Sequence, residues 1–356
     1  MRKQPRHKRR ASRAYLLGLS ALVATEACGL PDDAEFRGAP PQVQHVTIAF
    51  PGVSTMSPRL PREDSTPKNT DTAQYYELTQ SMAALLNSYA LQLLTVARVM
   101  VQLPATTRMG ESRTWGPYEP GGADPLTYRL VVNRLGEAVF AYTLSARNQS
   151  AGSDNEFLVV LDGSVTKGDE SSAAKGRMTV HFDNRRKLVP DSCEQGKIDF
   201  EYDSLGDPAL LDITLQKVGS QNPLGRKCRQ DPPRDGRFHV EHGSDDSGNF
   251  LFDVRKNIHG DDANRPLLET VLLRSRWNEK GQGRSDGKIA DGEVSIDLRN
   301  AGLSERYVSF SQCFGQGGKA LYQTASPESL RLLTSLGDPS VCTPKTMKAA
   351  KCAMRR

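Results

Sequence analysis

The sequence predicts a mainly β protein of the α+β class. One long N-terminal amphipathic helix is followed by an antiparallel meander of about 11–12 strands that curls into a barrel or half-barrel. Three observations predict this. Apolar residues recur every three or four positions over residues 71–103, they alternate with polar residues over much of 127–325, and turn residues interrupt that alternation. Hydrophobic residues make up 37% of the chain and charged residues 25%, which suffices for a packed core.

The helix is predicted to begin at Asp71, where Gln74 completes a capping-box-like start, and to end at Leu103 because Pro104 follows. Its apolar stripe consists of Leu78, Met82, Leu85, Tyr89, Leu93, Val96, Met100 and Leu103. Polar residues such as Asn87 and Arg98 are interspersed, which argues against a membrane span. We therefore expect the helix to pack on the sheet; a lid or a partner-binding helix is the alternative.

The strand prediction depends on segments in which apolar and polar residues alternate. The clearest are residues 178–183, 198–203, 211–216, 238–242 and 294–298. Such strands have one apolar and one polar face, which is typical of antiparallel sheets. No helical pattern is seen between them, so parallel pairing through helical crossovers is excluded. A sheet this long must curl, with the helix on its apolar face, and residues 326–336 are expected to form a short closing helix.

Residues 1–29 have the three-part order of a secretory signal. A basic stretch reaches Arg13, an apolar run covers residues 14–25, and small residues surround Cys28. The apolar run is about 12 residues long, whereas a transmembrane helix needs about 20. The segment is therefore predicted to be cleaved.

Cys28, directly after the apolar run, resembles the lipidated cysteine of a bacterial lipoprotein signal. Ala27 matches the small residue expected before it, while Thr25 and Glu26 depart from the usual pattern. The resemblance implies a lipid anchor on Cys28, and Gly29 implies the outer membrane, on its periplasmic or cell-surface side. Ordinary cleavage after Ala27, giving a soluble secreted protein, is the alternative. The organisation as a whole resembles lipoproteins of proteobacteria, including those of the myxobacterial kind.

Four regions follow from these patterns. Residues 1–27 are the signal peptide, 28–70 a tether that contains seven prolines, 71–340 a single helix-plus-meander domain, and 341–356 a basic tail.

Export to an oxidising compartment favours disulfides. By sequence proximity we expect the pairs Cys193–Cys228 and Cys313–Cys342. A lipid on Cys28 leaves Cys352 over, whereas a free Cys28 allows three pairs.

The net charge of +5 comes from the signal, because residues 1–27 contain seven basic residues and one acidic residue. From Cys28 onward the net charge is about −1, so the basic footprint of a nucleic-acid binder is missing. No catalytic, phosphate-binding or metalloprotease motif occurs either. We therefore predict no catalytic residue, no cofactor, no metal and no nucleic-acid partner.

Two residue groups come closest to a site. His239 and His242 are three apart, so on a strand they point to opposite faces and do not form a metal pair. Arg274, Arg276 and Trp277 precede a Gly-rich turn and could form an anion clamp beside an aromatic platform. An ordinary hairpin, with Trp277 facing inward and both arginines facing water, is the favoured interpretation.

These observations predict a non-enzymatic envelope lipoprotein that is held to the membrane through Cys28 and binds an apolar ligand or a partner protein on its curved sheet. The helix-then-meander order resembles the curved sheets that carry lipids or lipoproteins in the bacterial envelope. Two alternatives remain: a structural or interaction module with a filled core, and an envelope hydrolase whose site is assembled from scattered residues.

Overall fold

The computed structural model describes residues 33–51, 72–121, 124–169, 173–190, 192, 195–219, 234–257, 267–327 and 337–342. Within them the α-helices are α1 (Ala34–Arg37), α2 (Val43–Val46), α3 (Gln74–Met100), α4 (Phe182–Leu188) and α5 (Gly292–Asn300). The strands are β1 (Thr107–Met109), β2 (Ser112–Tyr118), β3 (Leu126–Arg134), β4 (Val139–Asn148), β5 (Leu158–Lys167), β6 (Ala174–His181), β7 (Lys197–Asp203), β8 (Ala209–Val218), β9 (Arg234–His242), β10 (Gly248–Lys256), β11 (Glu269–Trp277), β12 (Gly283–Asp291), β13 (Tyr307–Phe314) and β14 (Ala320–Ser326).

All fourteen described strands belong to one sheet, in which each strand pairs with the next in sequence order. Every pairing is antiparallel, so the predicted meander is confirmed. β1 and β14 are the two ends of this order and do not pair with each other. The sheet is therefore an open, curled half-barrel, with two or three more strands than the alternation predicted.

Helix α3 crosses the concave face from the last strands to the first. Near its start, the ring of Tyr75 stacks on Phe310 of β13, with 3.8 Å between centroids. Just beyond its end, the carbonyl of Leu103 accepts a hydrogen bond from the indole of Trp115 in β2 at 2.9 Å. The most deeply buried positions include Ala83, Ala90 and Ala97, whose small side chains let the helix approach the sheet closely. The helix is long and apolar enough to span a membrane, yet its buried side chains belong to the protein's core.

The start of α3 differs from the predicted capping box. Asp71 lies outside the described residues, and Ala73 occupies the N-cap position without a side-chain hydrogen bond. The backbone N–H of Tyr75 instead donates to Oε1 of Gln312 in β13 at 3.0 Å. A side chain remote in sequence therefore satisfies one of the orphan donors of the first turn.

Residues 33–51 fall within the expected tether, but they pack against the sheet and α3. Phe36, Val46 and Ile48 are buried in the main core. The side chain of Asn87 in α3 forms two hydrogen bonds with the backbone of Ile48. It accepts from the N–H at 2.8 Å and donates to the carbonyl at 2.9 Å. The short helix α2 occupies Val43–Val46, and the chain becomes extended at Thr47. This part of the chain therefore belongs to the domain.

Two connections between strands contain helices that the alternation did not predict. The predicted strand over residues 294–298 is wrong, because α5 occupies that range and buries Val294 and Leu298, four residues apart, on one face. The strand predicted over 178–183 ends at His181, and α4 begins at the next residue. The pairing across both connections stays antiparallel. Residues 328–336, most of the predicted closing helix, lie outside the described residues.

Candidate functional site

The concave face, where an apolar ligand was expected, is occupied by the chain itself. Tyr76 of α3 stacks on Phe314 at 4.0 Å between ring centroids, and Tyr89 packs edge-on against Phe182 at 5.2 Å. Phe36 from the N-terminal segment packs against Phe140 of β4 at 5.7 Å. These residues belong to one continuous core cluster shared by the helix, the N-terminal segment and the inner face of the sheet. Among the described residues, α3 and residues 33–51 therefore occupy this face of the sheet.

A polar cleft lies instead at one end of the sheet, where three neighbouring hairpins turn. Its volume is about 600 Å³, within the range of small-ligand sites. Its lining comes from the β7–β8, β9–β10 and β11–β12 turns and the strand ends beside them: Asp207, Pro208, Glu241, Gly243, Ser244, Asp245, Ser247, Gly248, Asn249, Arg276, Trp277 and Asn278. Most of these side chains are polar or charged, so the cleft suits a polar ligand.

Three arginines lie close together on adjacent strands of the outer face, and one of them, Arg276, lines the cleft. Arg274 and Arg276 project from the same side of β11, and Arg276 lies directly opposite Arg284 of β12. Arg284 is paired, because its guanidinium donates to both carboxylate oxygens of Asp286 at 2.8–3.0 Å. Arg274 donates from Nε to the side chain of Asn249 at 2.8 Å, and burial, followed by the charge of Arg276, lowers its pKa. Arg276 has no ion-pair or hydrogen-bond partner among the described residues.

The carboxylates around the cleft accept hydrogen bonds from neighbouring serines. Asp207 accepts from the Ser244 backbone N–H at 3.0 Å and from its hydroxyl at 2.7 Å, and the hydroxyl hydrogen bond lowers the pKa of the carboxyl. The pKa of Asp245 is likewise lowered by its hydrogen bonds from Ser247. These carboxylates are therefore ionised and already hydrogen-bonded, while the Arg276 guanidinium beside them is not paired.

Glu241 connects the cleft to a histidine on the outer face. Its Oε2 accepts from Asn249 at 3.1 Å, and its Oε1 lies 3.3 Å from Nε2 of His239. His239 also contacts Asp212 through Nδ1 at 2.7 Å, and that hydrogen bond raises its pKa despite partial burial. No group of three or more His, Cys, Asp or Glu side chains suited to a metal occurs among the described residues. Both ring nitrogens of His239 therefore face carboxylates, those of Asp212 and Glu241.

Trp277 is a wall of the core rather than a platform for a ligand. The side chain is 4% exposed and packs against Phe50, with 4.7 Å between ring centroids. A Cβ on Gly248 would come within 2.3 Å of the indole, so only glycine lets β10 pass this close to the ring. The indole Nε1 has no hydrogen-bond partner in the part of the chain described. The inward position predicted for Trp277 is therefore confirmed.

The structure describes two of the five cysteines for which a role was predicted. Cys313 of β13 and Cys342 form a disulfide with 5.4 Å between Cα atoms, which fastens residues 337–342 onto the outer face of the last strands. Cys193 and Cys228 lie outside the described residues, as does Cys28, the predicted lipid site.

The sequence had singled out Arg274 and Arg276, but not the groups that surround them. Asp207 and Ser244 come from hairpins about 30 to 70 residues away in sequence, and the pairing of β7 to β12 in one sheet brings their turns to Arg276. Arg284 was part of the same Gly-rich stretch, and its position opposite Arg276 follows from the tight β11–β12 turn.

The fold and the cleft define an open antiparallel half-barrel with a filled core and a polar, arginine-containing site on the ends of its hairpins. No protein-family model matches the chain, and no curated protein or solved structure is significantly similar to it.

Proposed function

We propose that this protein is a non-enzymatic envelope lipoprotein, held to the outer membrane by a lipid on Cys28, whose domain binds a ligand through an anionic group. The three-part signal and the position of Cys28 support the anchor. The filled concave face favours an interaction module over a carrier of apolar ligands, because α3 and residues 33–51 occupy the space that a carrier would need.

The unpaired Arg276 at the polar cleft is the observation that carries this proposal. A guanidinium binds a carboxylate or a phosphate through two parallel hydrogen bonds, and such charge-assisted pairs are stronger than neutral ones. Arg274 adds positive potential beside it, while the carboxylates of Glu241 and Asp207 already accept hydrogen bonds from Asn249 and Ser244. The ligand class that complements this arrangement presents a carboxylate or a phosphate to Arg276.

Two-dimensional ¹⁵N–¹H NMR of the mature chain tests the proposal with inorganic phosphate and acetate as probes. The chain contains two tryptophans, so the spectrum has two indole resonances. Trp277 lines the cleft, whereas the indole of Trp115 is bonded to Leu103 and serves as an internal reference. We expect saturable shifts of the Trp277 resonance with at least one probe, and none for Trp115.

The matched variants are Arg276→Gln and Arg255→Gln, the latter removing an exposed arginine near the far end of β10. R276Q is expected to abolish the Trp277 response and R255Q to preserve it. A Trp277 resonance that stays still with both probes, or that shifts equally in R276Q, would contradict anion binding at the cleft.

A further inference from the structure

Three exposed apolar side chains lie on hairpin turns at one end of the half-barrel. In an antiparallel meander every second turn is at the same end, so the β1–β2, β3–β4, β5–β6 and β7–β8 turns are neighbours. Met109, Leu135 and Leu205 belong to three of these turns and are 71%, 65% and 52% exposed. The β5–β6 turn links them, because a Cβ on its Gly168 would lie 2.7 Å from Leu205. We call these three side chains the apolar rim.

The first described residues of the chain are fixed at this same end. Asp33 accepts hydrogen bonds from Arg108, next to Met109, and from Arg113. These contacts make Asp33 almost fully buried, and the hydrogen bond from Arg108 lowers the pKa of its carboxyl.

Glu35 continues the attachment along the rim. Its carboxylate pairs with Arg134, next to Leu135, at 2.7 Å. Its backbone carbonyl accepts from Nζ of Lys167 at 2.6 Å, at the end of β5. The chain therefore enters the domain at the end of the sheet that carries the apolar rim.

Cys28 precedes Asp33 by five residues, and five residues span at most about 18 Å even when fully extended. A lipid on Cys28 therefore holds this end of the half-barrel against the bilayer. We infer that the apolar rim of Met109, Leu135 and Leu205 is the membrane-facing surface and inserts into the bilayer interface; this inference depends on the lipid anchor proposed above.

The chemistry of the rim fits an interfacial position. Amphipathic helices at a membrane interface bury their apolar face about 5–10 Å into the headgroup region, and we expect the side chains of the apolar rim to reach a similar depth. Exposed acids such as Glu111 and Glu137 lie in the same turns, so attraction to anionic lipids does not explain the rim. The surface that fits is a zwitterionic bilayer entered by single apolar side chains. Asp207 is in the same turn as Leu205, so the polar cleft opens beside the bilayer.

Fluorescence quenching on the lipidated chain tests this orientation. Leu135→Trp and Leu205→Trp are prepared separately, with Leu267→Trp as the control, and each is reconstituted into phosphatidylcholine vesicles with or without brominated acyl chains. Leu267 is 46% exposed and precedes β11 at the opposite end of the sheet, so it matches Leu205 in exposure but not in position. The native Trp115 and Trp277 are 1% and 4% exposed, and the wild type supplies their background.

We expect brominated lipid to reduce the added fluorescence of L135W and L205W about twofold, as for side chains at interfacial depth, and to leave that of L267W unchanged. Flotation of the vesicles and the intact mass establish separately that the chain carries its lipid. A chain without lipid that fails to float would overturn the anchor and the orientation together. A lipidated chain that floats, but in which L267W is quenched instead or neither rim variant is quenched, would overturn the orientation alone.

Discussion

Arg276 of β11 and Arg284 of β12 lie directly opposite each other in the antiparallel pair, although like charges at such positions repel. Arg284 is hydrogen-bonded to Asp286, whereas Arg276 has no such partner among the described residues. A cation kept at an unfavourable position is typical of binding sites, where function and stability are in conflict. The relationship of these two arginines thus connects the hairpin to the proposed anion site.

Arg276→Gln is expected to stabilise the protein. Removing one of two opposed positive charges should raise the free energy of unfolding by about 0.2–1 kcal/mol. Urea denaturation in a buffer without phosphate or carboxylate measures this, with Arg255→Gln as the control, expected within about 0.5 kcal/mol of the wild type. A destabilised R276Q would show that Arg276 has a structural role that the register does not reveal.

A buried chain of three hydroxyls joins α3 to the sheet. Thr79 donates to the Tyr75 carbonyl at 2.8 Å, so Ser275, at 2.6 Å, must donate to Thr79. Ser285, at 2.7 Å, then donates to Ser275. Ser275→Ala leaves the Ser285 donor without an acceptor and should cost about 1–3 kcal/mol, because an unsatisfied buried donor loses its full hydration.

Ser285→Ala is the matched control for that variant. It removes the last donor of the chain and leaves the hydrogen bond from Ser275 to Thr79 intact, so it should cost less than S275A in the same urea titration. Equal losses, or a larger loss for S285A, would contradict the assigned direction of the hydrogen bonds.

Asn87→Leu is expected to release the N-terminal segment from α3. The substitution leaves both the N–H and the carbonyl of Ile48 without a hydrogen-bond partner. Each such buried group should lower the free energy of unfolding by about 1–3 kcal/mol. Limited proteolysis should show faster cleavage within residues 33–51, together with a lower unfolding midpoint. Ser88→Ala is the control, since the Ser88 hydroxyl donates to the nearby Leu85 carbonyl within α3. Unchanged cleavage in N87L would mean that apolar packing alone holds the segment.

His239 is expected to make stability depend on pH. Asp212 raises the pKa of the imidazole, so the folded state binds a proton more tightly than the unfolded chain does. The resulting stabilisation is complete below the unfolded pKa of about 6.5 and is lost as the pH rises through the folded pKa. The melting temperature of the wild type relative to His239→Gln should therefore fall as the pH increases above about 6.5.

Asp212→Asn serves as the second arm of that measurement. Removing the carboxylate removes the main cause of the raised pKa of His239, so D212N should reduce the same pH dependence. A difference between wild type and H239Q that is constant, or grows with pH, would contradict the assignment.

The meander was predictable because apolar and polar residues alternate within each single strand, without reference to its neighbours. Residues 198–203 and 211–216 lie in β7 and β8 as expected, because one face of each is buried against the core. The long helix was predictable for the same kind of reason, but its buried face was not. Leu103 of the predicted stripe is 40% exposed, while the buried face of α3 includes small alanines that carry little hydrophobic signal.

The strand predicted at residues 294–298 is wrong because contacts from residues remote in sequence are not visible in a local pattern. Val294 and Leu298 share a face in either conformation, so alternation could not separate strand from helix. Asp291 and Gly292 both have positive φ, which ends β12, and Glu269 accepts from the backbone N–H of Glu293 at 3.0 Å in the first turn of α5. That acceptor lies more than twenty residues upstream, beyond the reach of a local pattern. The cleft was not predicted for the same reason, because its three hairpins become neighbours only in the folded sheet.

The mass of the intact protein, purified from its own membrane fraction and denatured, is the most direct test of the lipid on Cys28. We expect the mass of residues 28–356, less the hydrogens lost to disulfides, plus a diacylglycerol and an acyl chain on Cys28. An unmodified mass for a chain beginning at Cys28 would contradict the anchor, and with it the membrane-facing position of the apolar rim.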